Sequence, residues 1–396
     1  MVRCMNATWP ILITCARGIP PFLAAEVKAL GLTVRNEFLS AVETSGTLDD
    51  IMRLNLHLRT GHRVLQELHA FNARSPDEMY KQVNAYPWEN VLVPDIELSI
   101  TSTVEHPSIR DSRYATLKCK DAIVDRMTQA CGRRPNTGGD RNGAVVHLFW
   151  RNQDARVFID TAGEPLNRRS YRIVPMDAPM QETLAAACVM ASGWDGTTPF
   201  VNPMCGSGTL AIEAALVGLR IAPGLLRESF GFMHVQGFKQ QAWQKLVNEA
   251  KAKVLAKLPV PIIASDLSPA AIRAARQNAQ RAGLESSIEF VTCDFRETRI
   301  PQPPGVIMMN PAYGERLGDE KDLEPLYKAV GDFFKQSCAG YKGYVFTGNL
   351  GLAKKIGLRS SRRITLYNSQ IECRLLEFEM YRGTKDPGDA APASSS

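Results

Sequence analysis

Between residues 199 and 347, short apolar runs alternate with segments of helical period, and this alternation constrains the fold of the 396-residue chain more than any other feature. Pro199–Asn202, Pro261–Ser265, Ile288–Thr292, Val306–Met309 and Tyr344–Thr347 read as strands. Leu210–Leu219, Pro269–Ala282 and Leu323–Cys338 read as helices. Strands separated by helices pair in parallel through right-handed crossovers, so a mostly parallel, doubly wound α/β sheet is expected. Ile364–Tyr367 and Cys373–Tyr381 follow as an expected antiparallel pair. An Ala-rich helix, Pro179–Trp194, precedes the sheet, and residues 222–258 read as an insertion with a helical second half, Gln241–Lys257.

The part before residue 166 reads differently, as α+β. Ile11–Ala16 is a strand candidate, followed by helices over Pro20–Leu30 and Asp49–Leu58. Ser75-Pro-Asp-Glu78 has the spacing of a capping box at the start of a third helix. Ile96–Val104 alternates like a strand, Ala115–Cys131 is helical, and Ala144–Trp150 with Ala155–Asp160 form a hairpin candidate. The apolar stretch Trp9–Ala16 has the look of a short signal-peptide core, but Arg17 closes it directly, and a first β-strand is the preferred reading.

Composition narrows the class. A hydrophobic content of 44% supports packed cores. No apolar run approaches the ~20 residues of a membrane span, so no membrane association is expected. Nine cysteines without a C-x-x-C pair, and six histidines without zinc-site spacing, point to reduced thiols, no metal and a cytoplasmic location. The net charge of +6 is mild but unevenly placed: residues 110–172 hold 13 basic and 7 acidic side chains, whereas residues 1–109 hold 9 and 12. Such a stretch is either a phosphate-facing surface or a solvated charged face. Arg133-Arg134, Arg168-Arg169 and the later cluster Lys354, Lys355, Arg359, Arg362 and Arg363 are candidates for phosphate contact, with plain solvated surface as the alternative.

Four segments of the second half end a strand with a polar residue, where doubly wound sheets bind ligands. In Phe200-Val-Asn-Pro-Met-Cys-Gly-Ser-Gly-Thr209 a strand enters a glycine-rich turn and then a helix, an arrangement suited to an anionic group. Asp266, followed by Leu267, is placed to accept from two ribose hydroxyls, or else to cap the next helix. It lies 58 residues beyond Gly208, against about 20 in dinucleotide folds, and the insertion explains the excess. Asp294, followed by Phe295, is placed to accept from an adenine amine, or is a turn residue.

Met308-Met-Asn-Pro-Ala-Tyr313 is the most specific segment. An exocyclic base amine is a poor nucleophile because its lone pair is delocalised into the ring. Two acceptors that hold its hydrogens let the lone pair localise toward an activated methyl group. The Asn310 side-chain oxygen and the Pro311 carbonyl can do this, while Tyr313 stacks on a base taken out of its neighbours. An Asn-Pro turn closing a strand is the plain alternative.

Together these segments resemble the class I methyltransferases and, more narrowly, the THUMP-containing, N-P-P-Y-type RNA guanine methyltransferases that act on large-subunit ribosomal RNA. Ala16-Arg-Gly18, Asn55-Leu-His-Leu-Arg-Thr60, Leu117–Asp125, Asn167–Arg172, Ile221-Ala-Pro-Gly224 and Leu366–Leu375 extend the likeness over nearly the whole chain. The resemblance implies a ferredoxin-like plus THUMP region over 1–165 that grips ribosomal RNA. A Rossmann-like methyltransferase domain over 166–383 would follow, with a mostly parallel seven-stranded sheet whose last strand is antiparallel, and then a disordered tail, 384–396.

By position it assigns Asn202, Gly206 and Gly208 to the methionine end of S-adenosylmethionine, Asp266 to the ribose and Asp294 to the adenine. Pro203, Cys205, Thr209, Leu267 and Phe295 count with them as cofactor-binding. Asn310, Pro311 and Tyr313 form the catalytic motif, with Asn310 also beside the cofactor. The sequence departs from the family twice: Asn202 stands where Asp is usual, and Ala312 where a second proline is usual.

The expected activity is methyl transfer to a guanine 2-amino group. An adenine-N6 methyltransferase acting on RNA or DNA is the runner-up, and a non-catalytic RNA-binding assembly factor comes from another class. A carbon-5 pyrimidine mechanism is discounted, since Cys205 lies in the cofactor turn and no cysteine adjoins Asn310. A second methyltransferase is not expected within this sequence.

Overall fold

The computed structural model describes residues 8–138, 143–174, 180–314 and 320–381. Two compact units emerge: the described residues up to Ser170 with Ile221–Val254, and Tyr171–Arg220 with the described residues from Leu255 onward.

The chain opens with β1 (Trp9–Thr14), α1 (Pro20–Ala29), β2 (Asn36–Phe38), β3 (Ala41–Gly46), α2 (Leu48–His57) and β4 (Arg63–Asn72). Proline in its first turn starts α1. A reciprocal capping box starts α2: the Thr47 hydroxyl accepts from the Asp50 N–H, and the Asp50 carboxylate accepts from the Thr47 N–H at 2.8 Å. Next come α3 (Pro76–Ala85), β5 (Glu97–Glu105), α4 (Ser112–Cys131), β6 (Asn136–Thr137), β7 (Ala144–Arg151) and β8 (Asp154–Asp160). Ser75 caps α3, but Glu78 bonds the N–H of Arg74 rather than that of Ser75, so the expected box is only half formed.

These strands make one eight-stranded sheet in the order β2-β3-β1-β4-β8-β7-β5-β6. β4 joins its two halves, pairing with β1 at Arg63–Gln66 and with β8 from Leu65 to Asn72. The sequence reading missed β4. Its apolar residues do not alternate cleanly, because a register shift between Glu67 and His69 moves later side chains to the opposite face.

The second unit begins with α5 (Glu182–Ala191), β9 (Phe200–Pro203) and α6 (Thr209–Gly218). The chain then re-enters the first unit for Ile221–Val254, which carries α7 (Gln240–Ala252). This segment, read from sequence as an insertion of the second domain, packs with the first unit. Arg227 donates to the carbonyls of Ala162, Glu164 and Pro165, and the Phe232 N–H to Thr161 at 2.9 Å. Phe230, Phe232 and Trp243 close a ring cluster with centroids 5.0–5.3 Å apart.

The second unit resumes with β10 (Ile262–Asp266), α8 (Pro269–Arg281), β11 (Glu289–Thr292), β12 (Gly305–Met309), α9 (Glu320–Ser337), β13 (Tyr341–Thr347), α10 (Leu350–Lys355), β14 (Arg362–Asn368) and β15 (Ile371–Glu379). The seven-stranded sheet runs β11-β10-β9-β12-β13-β15-β14, parallel from β11 to β13, with β15 antiparallel to both its neighbours. Every residue of β12 is buried, as a strand covered on both faces requires. Val201, Ile307, Met309, Phe333, Phe334 and Phe378 belong to one core cluster. The expected doubly wound sheet with its antiparallel last strand is what forms. The short α10 had no expectation, and the tail 384–396 lies outside the described residues. Among the described residues no helix is long and apolar enough to cross a membrane.

Candidate active site

Strand order reverses beside β9: the chain steps outward through β10 and β11, then crosses back to β12 on the other side. Such a switch point leaves a crevice at the carboxyl ends of the strands. All four segments singled out from sequence end there. Asn202 lies level with Ala264, and Asp266 level with Thr292.

The turn after β9 is tightly coiled. Met204, Gly206 and Gly208 all have left-handed backbones, with φ of 55°, 54° and 82°. Gly208 is obligatory, because a Cβ there would lie 2.9 Å from that of Ala275. A Cβ on Gly206 would meet nothing within 4 Å, so space is open in front of it. The Gly206 N–H donates to the Asp266 carboxylate at 2.9 Å, and the Cys205 N–H to the Ser265 carbonyl at 2.9 Å. Burial, then the charge of Asp266, pushes the Cys205 thiol up, which suits a packing role and not a thiolate nucleophile. The Thr209 hydroxyl accepts from Arg172 at 3.0 Å.

Asn202 is wholly buried, and its amide N–H donates to the Met308 carbonyl at 2.8 Å. The reason lies in the ladder. β9 and β12 pair at Phe200–Val306 and Val201–Ile307, with Val306 N–H donating to Pro199. Continuing that parallel alternation, the Met308 carbonyl would accept from the N–H of residue 203. Residue 203 is proline and has none. The Asn202 side chain supplies the missing donor, a bond an ionised aspartate could not make. Its oxygen remains buried with no donor among the described residues.

Asp266 does not cap α8; Ser268 does, accepting from Ala271. Instead one Asp266 oxygen takes the Gly206 N–H and the other the Ser268 N–H at 2.9 Å, so each keeps acceptor capacity. Leu267 beside it is 71% exposed. Asp294 is more heavily engaged. One oxygen takes both the N–H and the Nε of Arg296, the other its Nη2 at 2.7 Å. These Arg296 bonds hold the carboxyl below its usual range. The ring of Phe295 is buried in the core against Phe333, leaving only its backbone for the crevice.

Beyond β12, the Asn310 side-chain oxygen is buried with no donor among the described residues. Pro311 is buried, and Tyr313 is half-buried, its hydroxyl accepting from the Asn368 amide at 2.9 Å. Asn368 and Asn278 were missed as site residues. Asn278 is 1% exposed and makes four bonds: it accepts from the N–H groups of Ile173 and Val174 at 3.0 and 3.1 Å, and donates to the carbonyls of Val174 and Ser207, both at 3.1 Å. A polar residue on the otherwise alanine-lined stripe of α8 was the available signal. Nothing local in the sequence connects Asn368 with Tyr313.

The basic candidates divide. Arg169 is 2% exposed and bonds the carbonyls of Leu166 and Arg59, a structural role. Arg362 is tied to Glu377 and Ala191. Arg168 pairs with Glu164 at 3.2 Å and Arg133 with Asp95 at 3.0 Å, both exposed, and Arg134, Lys354, Arg359 and Arg363 are exposed as well. Among the described residues no cluster of three or more potential metal ligands occurs.

Comparison with known proteins places this geometry. Residues 169–377 match the model of the RMKL-like, methyltransferase domain; residues 10–65 match the RlmL ferredoxin-like domain and 73–160 the THUMP domain. The ribosomal RNA large subunit methyltransferase K/L of Syntrophotalea carbinolica is 36% identical over 387 residues, covering 95% of this chain and 54% of that protein. A Synechocystis sp. protein named as an RNA methyltransferase is 34% identical, covering 94% and 97%. The chain thus spans about half the length of the K/L relatives it matches. Among solved structures, SMU.472, named a methyltransferase and complexed with SAH, aligns at TM-score 0.87 and 28% identity over 96% of this chain and 100% of that one. A Listeria monocytogenes structure described as a predicted N6-adenine-specific DNA methylase aligns at 0.85 and 31%, over 96% and 97%. SAH is what remains of S-adenosylmethionine once its methyl is given away. From its strand order, its glycine turn and these matches, the chain belongs to the RMKL-like methyltransferase family, with S-adenosylmethionine as its cofactor.

Proposed function

We propose that this chain transfers a methyl group to the exocyclic 2-amino group of a guanine in large-subunit ribosomal RNA. The observation that carries the reading is the Asn310 oxygen, a buried acceptor with no donor among the described residues, at the end of the strand that faces the cofactor turn. A buried acceptor of this kind is costly unless a ligand supplies the donor.

The residues fit the cofactor. Asn202 offers a second buried oxygen that no described residue donates to, suited to an ammonium, and the turn through Pro203, Cys205, Gly206, Gly208 and Thr209 opens onto free space at Gly206. Asp266 keeps acceptor capacity for the ribose hydroxyls, with Leu267 exposed beside it. Asp294 retains a lone pair on the oxygen that Arg296 grips once, enough for one adenine amine hydrogen, with the Phe295 backbone adjacent. Bound there, the cofactor supplies a methyl already activated by the positive sulfonium.

The protein's part is to bind, orient and desolvate. The Asn310 oxygen and the Pro311 carbonyl hold the two amine hydrogens, which turns the nitrogen lone pair out of conjugation. Tyr313 stacks on the extruded base. The cationic amine formed on methylation is strongly acidic, so its proton leaves without a dedicated base. Catalysis is therefore positioning plus hydrogen bonding.

The ferredoxin-like and THUMP segments of residues 1–165 form the RNA grip in this reading, and residues 166–383, apart from the Ile221–Val254 segment that packs with the first unit, the catalytic domain. A cytoplasmic location follows from the substrate. Support for RNA comes from the THUMP match and from the names of the relatives. The description of the Listeria structure favours a second reading, an adenine N6-amine, which two acceptors would serve equally.

Nucleoside mass spectrometry of ribosomal RNA from a strain lacking the gene separates the two. Loss of one 2-methylguanosine is expected. Loss of an N6-methyladenosine would select the second reading, and an unchanged profile would reject both.

A further inference from the structure

Tyr313 sits in a slot assembled from two separate stretches of chain, the end of β13 and the β14–β15 hairpin. Asn368, the last residue of β14, donates its amide N–H to the Tyr313 hydroxyl at 2.9 Å. Gly348, just past β13, lies against one edge of the ring: a Cβ there would lie 3.1 Å from Cδ2 and Cε2 of Tyr313 and 3.0 Å from a methyl of Ile371. Ile371 starts β15, and Asn368 pairs with it across the tight hairpin turn, where Ser369 takes φ 58°. The floor of this slot is fixed. Thr347 is fully buried, its hydroxyl bonded to Tyr327 at 2.8 Å and accepting from the Asn349 N–H at 3.1 Å. Asn349 in turn caps α10 through Leu352.

A tyrosine needed only to fill space would not require a polar partner on its hydroxyl together with a glycine against its ring edge. Both constraints act on one thing, the orientation of the ring plane. We propose that Asn368 is a positioning residue for the methyl-transfer site: it anchors the Tyr313 hydroxyl while Gly348 admits the ring edge, fixing the stacking plane before a base arrives. Preset stacking lowers the ordering cost of base capture, so the effect falls on productive binding of substrate and leaves the cofactor untouched. The role rests on the reading of Tyr313 as the stacking residue.

Two measurements test it on the full chain. In the first, 3-fluorotyrosine is incorporated and the Tyr313 resonance is assigned by its disappearance in Tyr313→Phe. Asn368→Ala should shift and narrow that resonance, with S-adenosylmethionine affinity by calorimetry unchanged. An unmoved resonance overturns the proposal whatever the activity.

The second measures methyl transfer to deproteinised large-subunit ribosomal RNA from the gene-deleted strain. Asn368→Ala should lower kcat/KM about tenfold, mainly through KM, in line with the loss of one hydrogen bond. In a Tyr313→Phe background the same change should cost almost nothing further. An equal loss in both backgrounds would mean that Asn368 merely builds the hairpin, and the proposal falls. If the wild-type chain methylates no RNA, the guanine reading fails instead, while the fluorine spectrum still decides whether Asn368 orders the ring.

Discussion

Asn310 and Asn202 are alike in placement and opposite in duty. Each leaves a buried side-chain oxygen without a donor among the described residues, and Asn202 spends its amide N–H on the fold. Replacing Asn310 with alanine removes the acceptor that localises the amine lone pair. Methyl transfer is expected to drop by about a hundredfold or more, as for loss of a transition-state hydrogen bond, with cofactor affinity changed far less. Single-turnover assay beside calorimetry separates the two effects, and full transfer by the variant would end the proposed mechanism. Asn202→Asp installs the residue usual in the resembled family and should trade one property for another. It removes the donor to the buried Met308 carbonyl, which costs roughly 1–3 kcal/mol in denaturant unfolding. Where ionised, the new carboxylate should tighten binding of the cofactor's ammonium through a charge-assisted bond. Unchanged stability would show that the ladder argument at Pro203 is mistaken.

Among the elements, α8 does more than cover the sheet. Its alanine stripe, including Ala271, Ala274, Ala275 and Ala279, packs closely, and Ala275 lies under Gly208. Asn278 interrupts the stripe and clamps the Ser207 carbonyl to the strand-free segment Ile173–Val174. Asn278→Ala would strip partners from buried backbone groups on both sides. About tenfold weaker S-adenosylmethionine binding and about 2–4 kcal/mol lower stability are expected. Calorimetry and urea unfolding read these separately, and a stability loss with cofactor affinity intact would make Asn278 a fold residue only. The helix was legible in the sequence through Pro269 and the apolar period, but its cap was not: Asp266 was the cap alternative, and Ser268 fills that role. The clamp was not, because its partners lie 71 and 104–105 residues away.

At the level of the whole molecule, the first unit holds a pH response of its own. Burial, followed by nearby cations, lowers both His57 and His62 from 6.5 to about 4. For His57 the cations are Lys253, Arg59 and Arg53, and for His62 they are Arg169 and Arg63. Above pH 6.5 neither folded nor unfolded chain protonates them. Below it only the unfolded chain does, so stability should fall progressively from pH 6.5 toward about 4. Buried Glu26, pushed up, acts in the opposite sense. A variant carrying His57→Gln and His62→Gln should therefore show a shallower acid slope in urea unfolding between those limits, and an unaltered slope would assign the response elsewhere. The sequence alone determined the alternating sheet, the four strand ends and the residue types they carry, because period and punctuation are local properties of the chain. Tertiary structure decided that residues 221–254 pack with the first unit, that Arg169 is interior, that Phe295 turns its ring into the core and that Asn368 meets Tyr313. Each of those outcomes depends on which distant surfaces exclude water together, and no local pattern of residues encodes that choice.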